Sequence, residues 1–294
     1  MASVQDIKRR VSSVKNTRKI TKAMELVAGA RLRRAQARIE AMRPYADRML
    51  ELMVGTARAS TSVRGLPLLQ RREIRTAAIL GLTGDRGLAG AFNAQILRHV
   101  FAVEQRLRRD GVDVRWLVSG RKGASTLRFR RYDVSQAWIG FSDRPAYSDA
   151  KAIAHHITEL YAEEEVDQVI VVYNHFESPL VQRVVEQEIL PIPESVLEAG
   201  EDAPPELVGD FIYEPEPEQI LERLLPVYVE TELYRALLES AASEQGARMT
   251  AMRNASKNAA ELIESLTLAM NRARQAEITQ EILEVVAGAD ALTA

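Results

Sequence analysis

Small and apolar residues recur at alternating steps of three and four near both ends of the chain. From Ala28 they fall at Leu32, Ala35, Ile39, Met42, Ala46, Met49 and Met53. The mean step of about 3.5 residues is the period of a coiled-coil seam. Upstream, Ile7, Val11 and Val14 begin a similar stripe. Arg18 interrupts it, and Ile20, Met24 and Val27 continue on a shifted face. A second seam runs from Met249 through Met252, Ser256, Ala259, Ile263, Leu266 and Met270 to Ala273. Good helix formers dominate residues 3–57, where Pro44 is the sole proline. No proline follows Pro226, which opens a helix from about Val227 to Val286 or kinks a longer one.

Two such helices at opposite ends of one chain should pack antiparallel, because the intervening segment has to join them. Residue i then faces roughly residue 272 − i, and Met24 lies across from the neighbourhood of Arg248. The last ~20 residues outrun their partner. Ile278 to Ala294 is mostly apolar and holds no Lys or Arg. An unpartnered apolar helix end has to be buried somewhere, which implies a socket in another molecule.

Between the seams the period changes. Arg75–Leu82, Val112–Ser119 and Asp167–Asn174 read as strands, and Leu180–Leu190 as a fourth, antiparallel one. Helices are expected over Ala91–Arg108 and Asp149–Tyr161, giving a largely parallel sheet with right-handed crossovers. The chain thus divides into an N-terminal helix (1–60), an α/β domain (75–190), an acidic, proline-rich connector (191–217) and a C-terminal helix (218–294).

Composition narrows the chemistry. A 46% hydrophobic and 27% charged chain should fold. No run is long and apolar enough to cross a membrane, and the N-terminus lacks the apolar core of a secretory signal. With no Cys there are no disulfides, thiolate sites or Cys nucleophiles. His99, His155, His156 and His175 are badly spaced for a zinc site. The net charge of −2 hides an asymmetry. Residues 1–60 and 61–158 each sum to +9, residues 159–244 to −19 and residues 245–294 to −1. Different parts of the molecule are therefore expected to face different partners.

The glycines after the first strand, Gly81-Leu-Thr-Gly84-Asp-Arg-Gly87-Leu-Ala-Gly90, invite a nucleotide reading. No Lys follows them as in a phosphate-binding loop, and their uniform spacing of three does not match a dinucleotide fingerprint. A tight turn with close helix–sheet packing fits better. A nucleotide or sugar-phosphate enzyme is one rival reading. The other is a nucleic-acid-binding arm in the Arg-rich N-terminal helix, which lacks interleaved aromatics and carries a seam.

Several stretches resemble the gamma subunit of F-type ATP synthase. They are Ile7–Gln36 (IKRRVSSVKNTRKITKAMELVAGARLRRAQ), Gly84–Asn93 (GDRGLAGAFN), Ser243–Ala259 (SEQGARMTAMRNASKNA) and Leu266–Leu292. Gly84 and Ala89 stand where the family usually has Ser and Cys. The resemblance implies an α/β protein with a central Rossmann-like domain and a long antiparallel coiled coil from the terminal helices. It implies the central rotor stalk, which couples ion-driven rotation of the membrane c-ring to conformational change at three beta catalytic sites. Partners would be the alpha3 beta3 hexamer, epsilon, delta and the c-ring, with one copy per complex. No catalytic residue, cofactor or metal is implied, no nucleic acid is bound, and membrane association is indirect, on the cytoplasmic face of the bacterial membrane. Met24, Lys22, Arg274, Gln275 and Thr279 match beta-subunit contacts, with Lys19, Arg31, Arg33 and Arg34 in the same basic region. Phe211, Tyr213 and Glu214 match the foot on the c-ring. Ile282, Leu283, Val285, Val286 and Leu292 would lie in the apolar sleeve.

Overall fold

The computed structural model describes residues 3–60, 65–193, 196 and 214–293, the last five of these by their backbone alone. The chain forms two compact units: Ala28–Arg248, and Met1–Val27 with Met249–Ala294. Two helices contribute to both, α1 (Val4–Ala59) and a C-terminal helix (Pro217–Thr293).

In the larger unit the chain runs β1 (Thr76–Leu82), α2 (Phe92–Arg109), β2 (Asp113–Ser119), α3 (Arg121–Phe129), β3 (Val134–Trp138), α4 (Tyr147–Ala162), β4 (Gln168–Phe176) and β5 (Gln182–Leu190). The C-terminal helix, α5, follows. The sheet order is β3-β2-β1-β4-β5. The first four strands pair in parallel and β5 runs antiparallel to β4. β1 is buried on both faces from Ala77 to Leu82, which is why it reads as an unbroken apolar run. Helices α2 and α3 cover one face, where Phe92, Ile96, Val100 and Leu127 pack on Ile79, Trp116 and Val172. On the other face α4 (Ile153, Ile157), α1 (Met49, Met53) and α5 (Leu225, Val229, Leu233) cover Leu80, Val171 and Tyr173.

The predicted strands and helices are present, and α3 and β3 are additional. Neither announces itself in the sequence. α3 is nine residues of mixed polarity, and β3 is an edge strand with only partial burial. α5 begins at Pro217, and Pro226 lies inside it. Of the two roles open to Pro226, the longer helix is the one found.

The smaller unit pairs the first part of α1 with the last part of α5. Val11 is buried, as the seam requires, and so are Met252 and Ala259 opposite. The shifted face expected beyond Arg18 is not found. Thr21 and Glu25 keep the original phase and are buried, while Ile20 and Val27 are exposed. The apolar pattern misleads here because two seam positions are polar. Glu25 accepts a hydrogen bond from Arg253 Nε at 3.1 Å. That pair sets i + j at about 278 rather than 272, a slip of nearly one heptad.

Candidate functional site

Doubly wound sheets bind ligands beyond the carboxyl ends of their strands, where the strand order reverses. Here that point lies between β1 and β4. It is filled by α5. Residues 239–245 are all buried, an unusual run for a helix carrying Glu239, Glu244 and Gln245. Ser240 Oγ donates to the Leu82 carbonyl at 3.3 Å, and Ser243 Oγ to the Asn174 carbonyl at 3.0 Å. A Cβ at Gly84 would sit 2.9 Å from the Glu244 carboxyl carbon, so the loop lies directly on this side chain and a larger residue would have to displace its end. Burial pushes the Glu244 carboxyl above the usual range, although Arg248 Nη2 donates to it at 2.6 Å. The same guanidinium nitrogen reaches the Gly87 carbonyl at 3.2 Å. At Gly120, φ is +97° and a side chain would run into Thr83. The glycines serve the close approach of loop, helix and sheet.

Asp85 ties this edge together. Its Oδ1 accepts from the Arg121 amide at 3.0 Å, and Oδ2 from the amides of Gly140 and Ser142 at 2.9 and 3.1 Å. Its own amide donates to Ser142 Oγ at 2.8 Å. One carboxylate thereby joins the loops that follow β1, β2 and β3. Sequence reasoning missed it, because nothing in the spacing distinguishes Asp85 from any other loop aspartate. Among the described residues no group of acidic and His side chains could hold a metal ion.

The residues singled out as partner contacts lie elsewhere, and the structure does not bring them into one cluster. On α1, Lys22 Nζ donates to Glu25 Oε2 at 3.0 Å, and Met24 is half-buried beside them. The hydrogen bond from Lys22 holds the Glu25 carboxyl below its usual range, against burial and with help from Arg253. Lys19, Arg33 and Arg34 are exposed, whereas Arg31 is engaged by Asp143 at 2.7 Å. On α5, Arg274, Gln275 and Thr279 are exposed, and the Thr279 hydroxyl donates back to the Gln275 carbonyl at 2.9 Å. Beyond them every described side chain to residue 288 is exposed. Val285 is the extreme, at 72%, and Ile282, Leu283 and Val286 are also open. Leu292 belongs to α5, but its side chain lies outside the described residues. Phe211 and Tyr213 also lie outside them, and Glu214 is exposed.

A family model described as ATP synthase matches residues 3–292. The ATP synthase gamma chain of Rubrobacter xylanophilus is 46% identical over 298 residues, covering 100% of both chains. That of Moorella thermoacetica is 45% identical over 292 residues, 99% of this chain and 100% of its own. The chain belongs to the ATP synthase gamma-chain family. Among solved structures, this gamma-family chain resembles one from the central stalk and c-ring of the Tetrahymena thermophila mitochondrial ATP synthase. The identity is 28% and the TM-score 0.59, over 81% of this chain and 99% of that one. A chain of the Euglena gracilis mitochondrial ATP synthase, in its OSCP/F1/c-ring assembly, shares the fold at 18% identity. There the TM-score is 0.69, over 98% of this chain and 94% of that one. Among the described residues of this gamma chain, no helix is long and apolar enough to cross a membrane.

Proposed function

We propose that this gamma chain is the central rotor stalk of an F-type ATP synthase, present as one copy with three alpha and three beta subunits. It couples rotation of the c-ring, driven by ion flow, to ATP synthesis or hydrolysis at the beta sites. Epsilon, delta and the c-ring complete its partners. It sits peripherally on the cytoplasmic face of a bacterial membrane and is not itself catalytic. The observation that carries this reading is the exposure of Ile278, Ile282, Leu283, Val285 and Val286 near the end of α5, which no described residue of the chain buries. An apolar sleeve formed by the surrounding subunits would cover these side chains.

The mechanism follows from asymmetry. A pair of helices presents a different chemistry in each direction around its seam. On α1 the exposed Ile20, Val27, Lys19 and Arg33 make a basic, partly apolar face. On α5 Glu261 and Glu264 make an acidic one. Three equivalent sites arranged around such a shaft each meet a different face, and each is biased to a different state. Rotation passes these states from site to site. The basic excess of residues 1–60 suits an acidic surface on beta that Lys22 and Met24 would meet. Arg274, Gln275 and Thr279, just before the apolar tip, would form a second polar contact with beta. Ile282, Leu283, Val285, Val286 and Leu292 would turn within the sleeve. Phe211, Tyr213 and Glu214 would rest on the c-ring. The filled crevice at β1 and β4 supports a non-catalytic role, because α5 stands where a nucleotide would otherwise bind.

The test pairs composition with coupling. The chain should co-purify with alpha and beta as one copy to three of each. Replacing Arg274 and Gln275 together by Ala should leave the helix pair folded. It should lower ATP synthesis about tenfold, the scale of one lost charged hydrogen bond. Unchanged synthesis and hydrolysis in this double variant would remove the contact assignment.

A further inference from the structure

The loop between β3 and α4 lies along α1 in a regular way. Arg31, Arg38 and Tyr45 are spaced by seven and so share one row of the helix. Opposite them come three alternate loop positions. Arg31 Nη1 binds Asp143 Oδ2 at 2.7 Å, and Arg38 Nη1 donates to the Pro145 carbonyl at 3.5 Å. Tyr45 lies within electrostatic reach of the Tyr147 hydroxyl. That hydroxyl donates to Glu230 Oε2 on α5 at 2.7 Å, and the Tyr147 ring meets Tyr234 edge-on at 5.6 Å. The start of the same loop is held by Asp85 through the amides of Gly140 and Ser142. One short segment therefore connects the carboxyl edge of the sheet to both long helices.

Apolar packing seats α1 and α5 on the sheet through residues such as Met53 and Val229. Such contacts are non-directional, so they resist separation better than rolling about a helix axis. Directional polar bonds on the flank of the helix supply what packing lacks. We propose that residues 139–147 form a torque-bearing clamp, with Arg31 and Asp143 as the positioning pair that keeps α1 from rolling against the sheet under load. The proposal rests on the rotor reading given above. Both side chains are partly exposed, at 40% and 29%, so the pair adds little to folding stability. Its effect belongs to the loaded, turning assembly.

The experiment uses the complete ATP synthase reconstituted in vesicles. Its readout is the ratio of ATP synthesis to uncoupled ATP hydrolysis, with the thermal midpoint measured alongside. Arg31→Ala and Asp143→Asn should each lower the ratio about threefold while leaving the midpoint unchanged. The two losses should not add, because both variants remove the same bond. The reversed pair, Arg31→Asp with Asp143→Arg, should restore most of the ratio. Unchanged ratios in both single variants, additive losses, or a reversed pair no better than the singles would each overturn the clamp. Absence of ATP synthesis by the unaltered assembly would instead overturn the rotor reading, and the clamp with it.

Discussion

Asp167 shows how one side chain organises the amino-terminal edge of the sheet. Its Oδ1 accepts from Arg72 Nε at 2.6 Å, and its Oδ2 from the amides of Arg75 and Thr76, both at 2.9 Å. Arg72 in turn reaches the carbonyls of Tyr161 and Val166 and lies 4.5 Å over the Tyr161 ring. Burial works against the charge on Asp167, but the two amides and Arg72 outweigh it and hold the carboxyl below its usual range. A lowered carboxylate contributes stability above its unfolded pKa, and that stability is lost as pH falls through the lower folded value. The window is therefore acidic, below about pH 4. Asp167→Asn should be less stable than the parent at neutral pH, and the gap should narrow toward pH ~2. Denaturant midpoints measured across that range decide the matter, and parallel curves would contradict it. Glu244, pushed upward by burial, has the opposite sense, its ionisation costing stability as pH rises.

The polar stretch of the seam belongs to the scale of elements. Glu25 is buried in the helix pair, yet its partners Lys22 and Arg253 keep side-chain exposures of 59% and 57%. Replacing Glu25 by Leu strands no buried charge. It should stabilise the pair by about 1 kcal/mol, at the expense of register. Amide exchange over residues 4–27 should slow, and faster exchange would defeat the argument. This pair also marks what was legible in the sequence. The seam positions of α5 were readable because they are small or apolar, and the α1 positions from Ala28 onward likewise. Thr21 and Glu25 were not, since a polar residue at a seam position looks like a break in the pattern. Register was equally hidden, because a heptad pattern moved by one repeat matches itself and only a specific pair such as Glu25–Arg253 selects one alignment. β1 and β4 stood out as apolar runs, whereas β3 at the sheet edge did not. Candidate contacts on α5 came from resemblance to the gamma family. The Asp85 and Asp143 contacts could be seen only once the loops were placed.

For the whole molecule, the asymmetry of charge has two components. Part of it closes on itself in the larger unit, where Arg72 meets Asp167, Arg106 meets Glu186 and Arg115 meets Glu165. These pairs join the basic stretch 61–158 to the acidic stretch 159–244. The +9 excess of residues 1–60 is less answered: among the described residues, Lys22 and Arg48 pair with acids of the same stretch, and Arg31 pairs outside it, with Asp143. On the rotor reading proposed above, that excess and the exposed apolar side chains near the end of α5 are features that other subunits would meet. They differ in kind, since the basic face is soluble alone and the apolar end is not. Deleting residues 278–294 should thus leave the unfolding free energy of the isolated chain unchanged to within about 0.5 kcal/mol, because the described side chains of that stretch are all exposed. The same deletion should reduce self-association at high concentration, which sedimentation would report, since it removes the exposed apolar stretch. A clear fall in the unfolding free energy would mean that the tail packs on its own chain. The socket would then be internal, and the sleeve would have no occupant to hold.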